Sequence, residues 1–272
     1  MKLFSRQAFC AVLFFACAAL FARAPELVKV KSPSMGVEVS NIVVLPDSYP
    51  DGAAEYPVIY LLHGYGGDHR MWTAMRPDLP EVASEKNVIF VMPDGGTSWY
   101  WDSPKNPALK YETYVAGELV PFVDSKYKTV KSPKGRAIAG LSMGGHGALW
   151  LAINHPDVFG AAGSMSGGVD IRPFPNNWDM AKSLGDYASN PEIWDSHTVI
   201  EALSKIRPGS PAIIIDCGTS DFFYRVNEKL HEKLLYMNIP HDYITRPGAH
   251  NGDYWKNAVD YQIMFFDKFF RK

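Results

Sequence analysis

The stretch GLSMGGHGA, residues 140–148, directly follows the mostly apolar run of residues 136–139 and places four glycines around one serine. The apolar residues before it predict a buried strand, and the small residues after it predict a helix that packs closely on a sheet. A sharp turn between the two strains the backbone of Ser142, and the flanking glycines let neighbouring backbone pass without Cβ clashes. The stretch therefore predicts a strand–turn–helix unit with Ser142 at the bend.

Outward from this unit, apolar strand-like runs alternate with helical patterns. The strand candidates lie around Val43 and Val44 and at residues 56–64, 87–96, 136–142, 160–168, 211–218 and 241–248. The helix candidates are residues 79–86, 112–127, 144–155, 221–237 and 252–270. Several inner strands are apolar almost throughout, which suits strands that are covered on both faces. The alternation predicts an α/β fold with a mainly parallel sheet flanked by helices.

Residues 169–207 interrupt this alternation, since they contain several prolines, two tryptophans and little strand character. In parallel α/β sheets, ligands bind beyond the carboxyl ends of the strands, where an insertion can cover or rim a site. We expect this insertion to form one wall of a pocket. The alternative is a surface excursion that packs on its own aromatic residues.

The composition fits a single globular domain. The chain has 272 residues, of which 47% are hydrophobic and 21% charged, and it contains no internal repeat. A chain of this length can bury one large core. Residues 25–272 are therefore predicted to form one domain.

The first 24 residues have the pattern of a cleaved signal peptide. A basic start at Lys2 and Arg6 precedes the apolar residues 8–21, and Ala22-Arg23-Ala24 supplies a small-x-small cleavage site. The apolar run is shorter than the roughly 20 residues of a membrane-spanning helix, so no stable membrane span is expected. The protein is thus predicted to be exported, either periplasmic or extracellular. A lipid anchor at Cys17 is the alternative, although the residues before it fit a lipoprotein signal poorly.

Cleavage after Ala24 would leave 24 basic and 29 acidic side chains, a net charge of −5. This acidic balance argues against nucleic-acid binding. Cleavage would also leave Cys217 as the single cysteine, so no internal disulfide is expected, and a domain of this size needs none.

The bend serine suggests nucleophilic chemistry, for which a serine hydroxyl needs a histidine base and an acid that orients the base. Asp221 lies in the loop after the strand at residues 211–218, whereas Asp216, the rival acid, lies in or at the end of that strand. His250 lies in the loop after the next strand, so serine, acid and base all follow strands at one edge of the sheet. For His146, inside the helix after the serine, we expect packing or hydrogen bonding.

Acyl transfer also needs N–H donors directed at the oxyanion that develops on the attacked carbonyl. The backbone N–H of Met143, at the start of the helix, is one candidate. The second is expected from the glycine-rich loop LLHGYGGDHRMW, residues 61–72. The N–H of Tyr65 is preferred there, with that of Gly64 as the alternative.

Three aromatic residues, Trp99, Tyr100 and Trp101, follow the strand at residues 87–96 near the same edge. Such rings can stack on a sugar or on an aromatic acyl group, so they are candidates for substrate binding. The alternative is that they only bury their own loop.

The motifs HGYGG (63–67), GLSMGG (140–145), CGTSD (217–221) and GAHN (248–251) occur in this order. With them the chain resembles the esterase family of α/β-hydrolases. This family includes the feruloyl and acetyl-xylan esterases of carbohydrate esterase family 1, tributyrin-type esterases, S-formylglutathione hydrolases and the antigen 85 mycolyltransferases. The resemblance covers about residues 30–271, and it is specific for the fold and the catalytic residues.

This resemblance implies an α/β-hydrolase that needs no metal or cofactor and works through an acyl-enzyme. Ser142 would be the nucleophile, His250 the base and Asp221 the residue that orients the base. The oxyanion donors of the family correspond to the N–H groups of Tyr65 and Met143.

The function predicted from the sequence is that of an exported serine esterase acting on acetyl or feruloyl esters of polysaccharides. One alternative is an acyltransferase that passes the acyl group to a sugar. The other is a glycan-binding protein with the same fold and no chemistry. Residues 169–207 match no single member of the family, so the sequence does not predict which acyl group or which alcohol the substrate contains.

Overall fold

The computed structural model describes residues 23–49, 54–208 and 211–272, so nearly all of the predicted signal peptide, including Cys17, lies outside the described residues. The described part contains eight strands that form a single sheet. They are β1 Glu26–Ser32, β2 Val37–Val44, β3 Val58–Leu62, β4 Ile89–Pro93, β5 Arg136–Leu141, β6 Ala161–Met165, β7 Ala212–Gly218 and β8 His241–Arg246.

Helices connect most of these strands. The α-helices are α1 Met71–Met75, α2 Leu79–Lys86, α3 Val120–Lys126, α4 Met143–Asn154, α5 Met180–Leu184, α6 Pro191–Ser196, α7 Val199–Ala202, α8 Tyr224–Tyr236 and α9 Gly252–Phe270. A π-helix, Thr113–Leu119, runs directly into α3, and short 3₁₀ turns occur at Pro133–Gly135, Tyr187–Ser189 and Leu203–Lys205.

The strand order across the sheet is β1-β2-β4-β3-β5-β6-β7-β8. Strand β2 is antiparallel to both β1 and β4, and every other neighbouring pair is parallel. This topology confirms the predicted α/β-hydrolase fold with a mainly parallel sheet. The sequence prediction missed β1, an edge strand in which buried valines alternate with exposed lysines, and the short helix α1.

The sheet separates two hydrophobic cores because adjacent residues of a strand point to opposite faces. In β3, Tyr60 belongs to the core shared with the π-helix, α4 and α8, whereas Leu61 belongs to the core shared with α1, α2 and α9. All five residues of β3 are buried, as are all five of β4. Covering on both faces explains why these strands are apolar throughout.

The bend between β5 and α4 has the predicted strained conformation, since Ser142 adopts φ 56° and ψ −117°. Two glycines make room for it. A Cβ on Gly140 would lie 2.3 Å from the carbonyl oxygen of Gly144, and a Cβ on Gly144 would lie 2.5 Å from the carbonyl oxygen of Leu62. The start of α4 therefore packs directly on the backbone at the end of β3, which fixes the position of the serine.

Replacing Gly144 by alanine is expected to destabilise the fold, because the new Cβ meets the backbone of β3, which cannot move aside as a flexible side chain would. The expected cost is about 1–3 kcal/mol in the free energy of unfolding, the range typical of overpacking. Urea unfolding measures it. Gly117→Ala, where a Cβ meets nothing within 4 Å, is the control and should not destabilise. Equal urea midpoints for Gly144→Ala and the wild type would contradict the close approach.

The insertion between β6 and β7 folds into α5, α6 and α7 with two short 3₁₀ turns. Its Trp194 is fully buried and donates a hydrogen bond from Nε1 to the carbonyl oxygen of Gly185 (3.0 Å). Within the described part of the chain, no helix combines the length and hydropathy needed to cross a bilayer.

Candidate active site

Three side chains from different strand ends meet at the carboxyl edge of the parallel sheet. His250 Nε2 lies 2.9 Å from Ser142 Oγ, and His250 Nδ1 lies 2.8 Å from Asp221 Oδ2. Since Nδ1 faces both carboxyl oxygens of Asp221, which are hydrogen-bond acceptors, we assign the ring proton to Nδ1. The lone pair of Nε2 then faces the serine hydroxyl. This arrangement can take the hydroxyl proton as the oxygen attacks an electrophile.

The carboxylate of Asp221 has hydrogen-bond partners at both of its oxygens. Besides the contact with His250, Asp221 Oδ1 accepts a hydrogen bond from the backbone N–H of Phe223 (2.8 Å). The Asp221 side chain is inaccessible to solvent, whereas that of His250 is 13% exposed and Ser142 is half-buried. The carboxylate is therefore fixed and shielded, while the two groups that would meet a substrate stay reachable.

The rival acid, Asp216, has other partners. It accepts a hydrogen bond from the Tyr254 hydroxyl and lies 3.0 Å from the Arg246 guanidinium. Burial raises the pKa of Asp216, and the tyrosine and the arginine oppose that rise. Because His250 contacts Asp221 and Asp216 is engaged in a buried ion pair, the geometry favours Asp221 as the acid.

The glycine loop after β3 lies against the serine. A Cβ on Gly64 would be 3.3 Å from Ser142 Cβ and 2.6 Å from Leu141 Cδ1. Met143 is the first residue of α4, so its backbone N–H has no partner within the helix and lies at the positive end of the helix dipole. The structure thus brings the backbone of the glycine loop at Gly64 next to Ser142, and Tyr65 and Met143, the two expected oxyanion donors, are the residues that follow Gly64 and Ser142 in the chain.

His63 supports this loop, a role that the sequence did not reveal. Its Nδ1 donates to the carbonyl oxygen of Gly64 (2.8 Å), and its Nε2 accepts from the backbone N–H of Gly95 (2.7 Å). The ring is 1% exposed and ties the glycine loop to the loop after β4. A motif match alone cannot show such a contact, because Gly95 is 32 residues away along the chain.

The structure corrects the role predicted for Trp99, Tyr100 and Trp101. All three residues are at most 1% exposed. The ring of Tyr100 fills the space beside Gly147, where a Cβ would come within 2.4 Å of it. The rings of Trp99 and Trp101 stack on each other at 5.6 Å. Because these side chains are buried, they hold their loop on α4 and offer no surface on which a substrate can stack.

His146 has the packing role expected for it. Its Nε2 accepts a hydrogen bond from Trp101 Nε1 (2.8 Å), and its Nδ1 donates to the carbonyl oxygen of Gly168 (2.9 Å). Burial lowers the pKa of His146 to about 3, so the ring is neutral at physiological pH. With both nitrogens engaged, it has no free position for base catalysis.

Phe222 and Trp178 have solvent-accessible aromatic rings at this edge of the sheet. Phe222 is 51% exposed, and its ring lies 4.1 Å from that of His250. The half-buried Trp178 of the insertion stacks on Phe222 at 5.7 Å with an interplanar angle of 20°. The insertion therefore packs, through Trp178, on the ring that lies beside His250. The sequence analysis named neither Trp178 nor Phe222 as a candidate for substrate binding.

Within the described residues, no group of three or more His, Cys, Asp or Glu side chains is placed to hold a metal ion. Cys217 is a free, buried cysteine, and burial raises the pKa of its thiol.

Comparisons with known proteins point to one family. The family model named Esterase matches residues 32–265. Esterase Rv1288 of Mycobacterium tuberculosis is 30% identical over 236 residues, which are 76% of this chain and 51% of that protein. The chain thus spans about half the length of this relative.

Two further proteins are similar over most of the chain. Diacylglycerol acyltransferase/mycolyltransferase Ag85A of Mycobacterium gordonae is 36% identical over 253 residues, covering 86% of this chain and 72% of that protein. A solved structure of a ferulic acid esterase has a TM-score of 0.78 at 27% identity, covering 91% of this chain and 98% of the other.

Proposed function

Because the chain belongs to the esterase family, we propose that it hydrolyses carboxylic esters with Ser142 as nucleophile and through an acyl-enzyme. The observation that carries the proposal is the continuous hydrogen-bonded series from Ser142 Oγ to His250 and on to Asp221, with contacts of 2.9 and 2.8 Å. Nucleophile, base and orienting acid at hydrogen-bond distance are the elements of a catalytic triad.

In the first half-reaction, His250 Nε2 takes the hydroxyl proton while Ser142 Oγ bonds to the ester carbonyl carbon. The carbonyl electron pair moves onto its oxygen, which accepts hydrogen bonds from the N–H groups of Tyr65 and Met143. Each such donor typically contributes about 10² to 10³-fold in rate. The intermediate then expels the alcohol oxygen, which takes the proton back from His250, and the acyl group stays on Ser142.

In the second half-reaction, water enters where the alcohol left. His250 Nε2 removes a proton from the water as its oxygen bonds to the acyl carbon. The second tetrahedral intermediate expels Ser142 Oγ, which recovers its proton from His250, and the free acid leaves. In both halves Asp221 stabilises the imidazolium and keeps its Nδ1 proton in place.

The substrates that we propose are acetyl or feruloyl esters carried by polysaccharides. The solved ferulic acid esterase supports the feruloyl group, and so do the accessible rings of Phe222 and Trp178 beside His250. Flat aromatic surfaces of this kind stack favourably on a phenolic acyl group. A panel of acetyl, butyryl and feruloyl esters tests this preference.

Phe222→Ala is expected to lower kcat/KM for methyl ferulate about five- to tenfold more than for p-nitrophenyl acetate, since only the aromatic acyl group loses a stacking partner. Steady-state kinetics on the two esters measures the difference. Tyr236→Ala is the matched control, because this tyrosine is also exposed but lies at the end of α8. Equal losses on both esters would count against an aromatic acyl site at Phe222.

Acyl transfer to a sugar is the second candidate, and the similarity to the mycolyltransferase Ag85A favours it. The same acyl-enzyme serves both reactions, and only the acceptor differs. Chromatography of the products formed with a sugar acceptor present separates them. Free acid as the main product supports hydrolysis, and acylated sugar as the main product supports transfer.

Export belongs to the proposal as well and rests on the signal pattern of residues 1–24. Cell fractionation followed by N-terminal sequencing tests it. Exported protein that begins at Pro25 is the expected result. Protein that stays in the cytoplasm with residues 1–24 intact would overturn it.

A further inference from the structure

Two consecutive residues of the insertion, Trp178 and Asp179, have positive φ angles of 49° and 54°. The left-handed conformation is unfavourable for most residues other than glycine, asparagine and aspartate, so the tryptophan above all has to be held by its surroundings. The contacts of this pair reach both sides of the proposed active site.

Trp178 faces the loop that carries the acid. Its ring lies 5.2 Å from that of Phe223 and 5.7 Å from that of Phe222, the residues that follow Asp221. Its carbonyl oxygen accepts a hydrogen bond from Trp99 Nε1 (3.4 Å). This packing fixes the backbone from which the next side chain projects.

Asp179 faces the glycine loop. Its Oδ2 accepts a hydrogen bond from the Tyr65 hydroxyl (2.9 Å), and its Oδ1 lies 3.0 Å from Lys182 Nζ. Lys182 and the Tyr65 hydroxyl lower the pKa of Asp179, and the same contact raises the pKa of Tyr65. The acceptor is therefore ionised and the phenol keeps its proton, so this hydrogen bond is charge-assisted at neutral pH.

Tyr65 needs an anchor because Gly64 and Gly66 flank it, and Gly66 has a φ of 80°. Glycines give the backbone more freedom than other residues do. His63 holds the carbonyl of Gly64 from the inside of the molecule, and Asp179 holds the Tyr65 side chain from the outside. The peptide N–H of Tyr65 lies between these two attachments.

We infer that Asp179 is a positioning residue for ester hydrolysis, which holds Tyr65 through its hydroxyl so that the Tyr65 backbone N–H stays directed at the oxyanion. The inference rests on the proposed function. A donor that matters only when the carbonyl has become tetrahedral acts on kcat and leaves ground-state binding nearly unchanged. Loss of the anchor should therefore lower kcat.

The test is a double-mutant cycle of Asp179→Ala and Tyr65→Phe, with p-nitrophenyl acetate as a small substrate. Each single variant should lower kcat about tenfold, a partial loss of one oxyanion donor, with KM within about twofold. The double variant should be no worse than either single variant, because both changes break the same hydrogen bond.

Two further variants distinguish a positioning role of Asp179 from a general loss of active-site structure. Lys182→Met removes the other partner of Asp179, leaves the bond to Tyr65 in place and should keep the wild-type kcat. Asp179→Asn retains an acceptor oxygen and should restore most of the activity. Phenylboronic acid forms a tetrahedral adduct with a nucleophilic serine, so its inhibition constant should rise in parallel with the fall in kcat, which a merely structural role would not cause.

An unchanged kcat and boronate affinity in Asp179→Ala would overturn the inference, as would losses that add up in the double variant. The proposed function is judged separately by Ser142→Ala. If that change abolishes hydrolysis while Asp179→Ala has no effect, the esterase mechanism stands and only the role of Asp179 fails.

Discussion

Replacement of Ser142 by alanine is expected to lower kcat for p-nitrophenyl acetate by on the order of 10⁵ to 10⁶-fold, because the variant lacks the hydroxyl that forms the proposed acyl-enzyme. The fold should stay intact, since the substitution removes one half-buried hydroxyl. Release of p-nitrophenol measures the rate, and circular dichroism with a thermal melt checks the fold.

Ser166→Ala is the matched control for this change. Ser166 also follows a parallel strand and also has a positive φ, 50°, but it is fully buried at the end of β6. It should keep most of the activity. Substantial hydrolysis by Ser142→Ala would contradict the proposed mechanism. A wild-type protein that binds glycans but hydrolyses no ester would favour the non-catalytic alternative.

Asp221→Asn should be nearly as damaging, with a loss of about 10⁴-fold in kcat and a nearly unchanged KM. The asparagine amide can donate a hydrogen bond to His250 Nδ1, which moves the ring proton to Nε2. A protonated Nε2 cannot accept the proton of Ser142. Kinetics at saturating ester concentration, across a range of pH, measures the loss.

Asp216→Asn provides the comparison, since it changes a buried carboxylate that faces Arg246 and Tyr254. The Asp216 side chain is inaccessible and that of Arg246 is 20% exposed, so the change leaves a largely buried arginine without its opposite charge. Tm should fall, while the folded fraction keeps its kcat. A larger loss of kcat in Asp216→Asn than in Asp221→Asn would move the role of the acid to Asp216.

The parts of the site that could be predicted from sequence depend on local constraints. The bend at Ser142 requires glycines where backbone meets backbone, and Gly140 and Gly144 stand at those positions. Asp221 and His250 could be paired with the serine because the carboxyl ends of parallel strands share one edge of the sheet. Pairing these residues with the serine did not require knowledge of the order of the strands in the sheet.

The parts that could not be predicted depend on contacts between distant segments. Trp99 and Trp101 look like ligand-binding rings in sequence, and they are buried because α4 and the insertion close over them. Aspartate tolerates the left-handed backbone found at Asp179, but tryptophan gives no sequence signal of the same conformation at Trp178. Residue types alone therefore predicted which three side chains meet at the sheet edge better than they predicted the residues that surround and hold them.

Ester hydrolysis by this protein depends, as proposed above, on covalent acylation of Ser142, which active-site labelling tests. The wild-type protein is treated with a fluorophosphonate, which traps nucleophilic serines as stable adducts, and the modified peptide is identified by mass spectrometry. We expect a single adduct, on Ser142, that is absent from Ser142→Ala. An adduct on another residue, or an enzyme that hydrolyses esters but cannot be labelled at Ser142, would contradict it.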